Sequence, residues 1–143
     1  MTQEEKLLLF KVLCGMLPYE VKIQIYNDYL GTMKDEKLNV YHLSGAYDIE
    51  YRKLRPYLRP ISSMTEFEMD KLFDILHIDK DGNDEDWIKI NDVLGIKFFF
   101  PTGKWVEDVA EAYDYLNSIH IDYRGLIEKG LALKAKEGMY KTK

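Results

Sequence analysis

The sequence predicts an α+β fold: a small antiparallel sheet, curled or barrel-like, over residues 19–60, packed by an N-terminal helix and two or more later helices. Three observations carry this. Thr2 and Glu5 have the spacing of a capping box just ahead of an apolar run of helical period. After Pro18 the apolar period drops to two, with Val21, Ile23 and Ile25 alternating with Glu20, Lys22 and Gln24. Two further helical stripes then follow in the second half.

The first helix is expected to run to about Met16, with Leu9, Leu13 and Met16 on one face, Phe10 and Leu17 beside it, and Cys14 turned to the core. Gly15 and Pro18 end it. Residues 21–25 form the first strand. A polar reversal from Gly31 to Glu36 is followed by a second strand over Leu38–Leu43, and Tyr47–Leu54 is available as a third. Pro56 and Pro60 oppose any long strand there, because each lacks a ladder donor.

Ser63 and Thr65 offer overlapping caps with Glu66 and Glu68 at the third position. Met69, Leu72, Phe73 and Leu76 then predict a helix over 65–77. The run from Asp79 to Asp86 reads as a solvated loop. Residues 87–94 fit either a short helix capped by Asp84 and closed by Gly95, or a strand turning at Asn91-Asp92. Residues 96–100 alternate as a strand that extends the sheet, and Pro101-Thr102-Gly103 is a turn. Val106, Val109, Ala110, Tyr113 and Leu116 predict a helix over 105–119, and Leu126–Leu133 a further helical or extended piece.

At 143 residues, 46% hydrophobic and 31% charged, the chain is expected to be one globular domain spanning 1–143. The apolar run Leu7–Leu17 is interrupted by Lys11 and preceded by Glu4 and Glu5, which is unlike a secretory leader. No stretch approaches the ~20 apolar residues of a membrane span. A single cysteine excludes an internal disulfide framework. A cytoplasmic location, without membrane contact, is the expectation. Residues 61–122 hold five Lys and Arg against fifteen Asp and Glu, whereas 123–143 hold six against two. The middle of the chain should repel nucleic acid.

Two stretches, Arg55-Pro56-Tyr57-Leu58-Arg59-Pro60-Ile61-Ser62-Ser63-Met64-Thr65-Glu66 and Asp122-Tyr123-Arg124-Gly125-Leu126-Ile127-Glu128-Lys129-Gly130-Leu131-Ala132, stand out together with the opening helix and Leu17-Pro18. With them the chain resembles a family of short uncharacterised proteins of gut bacteria, their phages and mobile elements. The resemblance implies that setting and carries no activity or site residue.

Asp79, Asp81, Asn83 and Glu85 crowd oxygen ligands as a calcium loop does. However, Gly82 stands fourth rather than sixth, and the twelfth position is Ile90 rather than Glu. His42, His77 and His120 have no Cys or second His at ligand spacing. No phosphate loop, dinucleotide fingerprint or nucleophile elbow is present. Catalytic, metal and cofactor residues are accordingly all read as none. The segment 51–60 interleaves Arg52, Lys53, Arg55 and Arg59 with Tyr51 and Tyr57, a composition that neutralises phosphates and stacks on bases, or meets a partner protein. The plainer account is charge balance against the acidic half of the same fold. The first functional expectation is a non-enzymatic interaction module, phage- or mobile-element-associated, acting through a protein partner or self-association. A nucleic-acid-associated accessory protein using 51–60 is the alternative, and an enzyme of unrecognised kind the third class.

Overall fold

The computed structural model describes residues 1–44, 48–77, 88–91, 95–98 and 106–140. The acidic run 79–86, Trp87, the turn at 101–103, Gly45 and the terminal Lys141 and Lys143 lie outside the described residues.

Helix α1 (Gln3–Met16) begins at the expected capping box: Glu5 N–H donates to Thr2 Oγ1 at 3.1 Å, and Thr2 N–H to Glu5 Oε1 at 2.8 Å. Leu9, Val12, Leu13 and Met16 are buried. Cys14 is exposed, which corrects its expected place in the core. The reason is helical phase: Leu7, Phe10 and Cys14 share the stripe opposite Leu9, Leu13 and Met16.

Strand β1 (Lys22–Asn27) buries Ile23 and Ile25, as its alternation requires. The next strand, β2, spans Thr32–Lys37 and pairs antiparallel with β1, Ile23 opposite Glu36 and Ile25 opposite Lys34. This corrects the expected strand at Leu38–Leu43. There the chain makes a 3-10 turn at Val40–Leu43, capped by Asn39, whose Oδ1 accepts from Tyr41 N–H at 2.9 Å. Strand β2 lies at the sheet edge and is exposed along nearly all its length, so no apolar alternation marks it.

The strand expected at 47–54 is also corrected over 48–54; Tyr47 lies outside the described residues. Asp48 Oδ1 accepts from the backbone of Glu50 and Tyr51, and Lys53 is left-handed at φ 52, so residues 49–53 turn. Strand β3 (Arg55–Leu58) follows and includes Pro56. It shares only two residue pairs with β1, so the missing N–H removes little from that ladder.

Helix α2 (Glu66–Leu76) uses Thr65 as its cap with Glu68 completing the box, and His77 closes it at φ 54. Strands β4 (Ile88–Asn91) and β5 (Gly95–Phe98) pair with each other in a two-stranded sheet. Residues 88–91 are therefore strand. Among the described residues, β5 does not extend the main sheet as expected; it meets the rest through Ile96 N–H on Tyr123 O at 2.8 Å. Helix α3 (Val106–Ser118) and the two-residue β6 (Leu133–Lys134) complete the order.

The main sheet runs β2-β1-β3-β6 among the described residues. It is open rather than barrel-closed, and mixed because β3 and β6 are parallel. The α+β class is as expected. Leu9, Leu13 and Met16 of α1, Ile23 and Ile25 of β1, Leu72 and Leu76 of α2 and Leu116 of α3 share one buried cluster. Each amphipathic element thus covers the apolar face of another.

The segment after β6 is tied back over the sheet. Tyr140 stacks on His120 with ring centres 3.9 Å apart. Its hydroxyl donates to Tyr57 O at 2.8 Å and accepts from Lys22 N–H at 2.8 Å. Burial pushes the Tyr140 hydroxyl from its ordinary 10 up to about 12. Deprotonation therefore costs more in the fold than in the unfolded chain. Stability should fall as pH climbs from 10 through about 12. Tyr140→Phe keeps the stack but loses both bonds. Chemical denaturation at neutral pH should show a loss of about 1–2 kcal/mol, and alkaline titration a shallower decline than the parent's.

Candidate interaction surface

The β1–β2 hairpin turns through Asp28–Gly31. Asn27 organises the turn: its Oδ1 accepts from Tyr29 N–H at 3.0 Å and Leu30 N–H at 3.3 Å, and its carbonyl from Gly31 N–H at 2.8 Å. Gly31 supplies the left-handed step at φ 64, where a Cβ is strained. The product is a defined knuckle that points its largest side chains outward. Tyr29 is 100% exposed and Leu30 71%.

The turn at 49–53 stands against this knuckle. Tyr26 N–H donates to Arg52 O at 2.7 Å, Arg52 Nη1 lies 3.1 Å from Asp28 Oδ2, and Lys53 Nζ stands 5.8 Å from the centre of the Tyr26 ring. Tyr51 is 60% exposed beside them. Tyr29, Leu30, Tyr51, Arg52 and Lys53 thus belong to one surface, with Met33 exposed on the strand that leaves the knuckle.

Three of the six residues singled out in the sequence share that surface; the others turn inward. Arg55 spends Nε on Gly130 O at 2.9 Å and Nη1 on Leu54 O at 2.9 Å. Tyr57 is buried, donates to Asp35 Oδ1 at 2.7 Å and accepts from Gln24 Nε2 at 3.2 Å. Burial first, and the Asp35 charge with it, pushes the Tyr57 hydroxyl up. The Tyr57 bond, helped by Lys136, holds Asp35 down.

Arg59 is 5% exposed, and both terminal nitrogens reach Glu68 at 2.8 Å. They also donate to Ile119 O at 3.2 Å and Ser63 O at 2.8 Å. Burial favours a protonated Glu68, but bonds from Arg59 and Thr65 and the guanidinium charge outweigh it, holding the carboxyl below its ordinary value. The Arg59 backbone brackets the 120–122 stretch, donating to His120 O and accepting from Asp122 N–H. Asp122 in turn accepts from Leu126 N–H at 2.7 Å and Ile127 N–H at 2.9 Å. Segments 55–66 and 122–132 therefore meet as an internal hub.

Of the three histidines, His42 and His120 are engaged internally, whereas His77 is exposed at the end of α2. His42 Nδ1 accepts from Asn39 N–H at 3.0 Å while Nε2 faces Glu36 Oε1 at 2.5 Å, so both ring nitrogens are used. His120 Nε2 donates to Tyr19 O at 2.6 Å, and burial lowers its pKa. Among the described residues no group of three His, Cys, Asp or Glu is placed to hold a metal ion, and no helix is long and apolar enough to cross a membrane. An open cleft of about 500 Å³ lies between Arg59–Ser63 and Lys134–Tyr140. Its cations are largely neutralised, with Lys136 bonded to Asp35 at 3.0 Å and Arg59 to Glu68.

Sequence reasoning missed Tyr29 and Leu30. The signal was two large residues set inside the turn-forming frame Asn27-Asp28-…-Gly31, where polar residues would serve the turn equally well. Compared with protein-family models, curated proteins and solved structures, the chain matches none.

Proposed function

We propose that this protein is a non-enzymatic interaction module that binds a partner protein through the hairpin knuckle and the adjoining 51–53 turn. One observation carries the reading: Tyr29 and Leu30 are held in water by a turn whose Tyr29, Leu30 and Gly31 N–H groups all bond to Asn27. An ordered loop has already lost the conformational entropy that binding would otherwise cost, which favours affinity. Tyr and Arg are the residue types that dominate binding hot spots, and Tyr51 and Arg52 adjoin the knuckle. The phage or mobile-element setting we propose rests on the resemblance of segments 55–66 and 122–132 alone, and the cytoplasmic location on the sequence features given above.

The nucleic-acid alternative has less support, because Arg55 and Arg59 spend their guanidinium groups on internal carbonyls and on Glu68. The test is affinity capture from a bacterial host, comparing the parent with a Tyr29→Ser/Leu30→Ser double variant. The parent should retain a defined protein at stoichiometric level. The variant should lose it by at least about tenfold while melting within about 0.5 kcal/mol of the parent. Equal retention by both proteins, or recovery of nucleic acid instead, removes the reading.

A further inference from the structure

Helices α2 and α3 pack side by side and carry charge of almost one sign. On α2, Glu66, Asp70 and Asp74 recur every fourth residue, which stacks them along one stripe; α3 adds Glu111 and Asp114. Lys71 is the single Lys or Arg within these two helices, and its ammonium stands 5.1 Å from the centre of the Tyr115 ring. A shallow groove of about 540 Å³ opens here, with Phe67 and Ile75 as its apolar lining; Asp70, Asp74 and Glu111 surround them with His77 and Lys71, so carboxylates outnumber the one ammonium three to one.

Phe67 is the informative residue. It is 58% exposed, while the buried face of α2 is formed by Glu68, Leu72 and Leu76. Its neighbours Met64, Met69 and Phe73 pack against the core, and Phe67 stands off that packing. A first-turn helix position on the water side needs no aromatic ring for folding, since a polar residue there would serve equally well.

We infer that the groove docks a cationic, amphipathic segment of a partner protein, with Lys or Arg side chains against Asp74 and Glu111 and an apolar side chain on Phe67. Charge complementarity selects this occupant, because the carboxylates repel nucleic acid and acidic peptides. Exposed ion pairs contribute little affinity each, so the carboxylates steer the approach and burial of the Phe67 ring holds the complex. This surface shares no residue with the hairpin knuckle and does not depend on it.

The test uses the full chain and a fluorescein-labelled peptide of Lys-Lys-Leu repeated four times, followed by fluorescence anisotropy. Saturable binding is expected. It should weaken about tenfold in Phe67→Ser and about fivefold in Asp74→Asn/Glu111→Gln, and should also fall as salt rises from about 50 to about 300 mM. A peptide with Ser in place of Leu, equal in charge, should bind about fivefold more weakly. The Tyr29→Ser/Leu30→Ser variant should bind the peptide as the parent does. Absence of saturable binding overturns the inference. So does binding indifferent to Phe67→Ser and to the Leu-to-Ser peptide, which would be general attraction between polyelectrolytes. Loss of binding in the knuckle variant would also overturn it, by placing the peptide elsewhere.

Discussion

Glu68→Ala is expected to destabilise the protein by about 3–5 kcal/mol, the range for breaking a buried ion pair from one side. Arg59, 5% exposed in the parent, would be left, among the described residues, with Ile119 O and Ser63 O to receive its donors. The change also removes the acceptor for Thr65 N–H, 2.9 Å from Glu68 Oε1, and so half of the α2 capping box. Chemical denaturation at neutral pH reads this directly. Because the cost comes from the orphaned guanidinium, Arg59→Met/Glu68→Leu together should recover much of the loss. If the double variant is as unstable as Glu68→Ala, the pair is not what holds α2 to the end of β3.

The same pair sets part of the acid response. Glu68 titrates below its ordinary 4.5 in the fold, so its stabilising share is complete above that value. The share is lost as pH falls from 4.5 through the lower folded value. Glu68→Gln keeps the shape but abolishes the charge, and should flatten this part of the stability profile. An unchanged acid limb in Glu68→Gln would show that other carboxylates govern it.

Gly95→Ala is the second large effect. Gly95 has φ 90, and a Cβ built there lies 2.2 Å from Tyr123 O, a backbone atom that cannot rotate away. Strain of about 1–3 kcal/mol for the left-handed backbone adds to about 1–3 kcal/mol for the overlap. Gly95 begins β5, whose Ile96 N–H is bonded to the same Tyr123 carbonyl. The least costly relief is detachment of the β4–β5 pair rather than global unfolding. Hydrogen exchange should therefore accelerate most at Ile96, with a smaller change at Ile23 in the main sheet. A variant with parental melting and parental exchange at Ile96 would contradict the close approach.

The elements legible in the sequence are those whose evidence is local. Thr2 with Glu5 and Thr65 with Glu68 announce α1 and α2 because a cap and its reciprocal partner lie within one turn. β1 is legible because one face is buried and the other is not. β2 was missed because an edge strand exposed along its length has no apolar face to advertise. Leu38 misled in the opposite sense: it is buried, and its N–H continues the ladder onto Val21 O at 3.0 Å, yet the chain then turns at Asn39. β6 carries only two residues and takes its strand character from Tyr57 and Leu58, far away in sequence.

Candidate surface residues divide in the same way. Arg52 and Arg59 are indistinguishable by type and neighbourhood in the 51–60 segment, each a cation close to a Tyr. One rests on the surface against Asp28, and the other is enclosed by Glu68, Ser63 and Ile119.

By itself, then, the sequence determined the α+β class, the three helices and the first strand, since hydrophobic period and capping act over a few residues. Only the tertiary structure decided which cations are enclosed, where the edge strand runs, and that Tyr29 and Phe67 face water. Those outcomes depend on which distant groups arrive beside a residue, and burial is a property of the assembled surfaces rather than of any single segment.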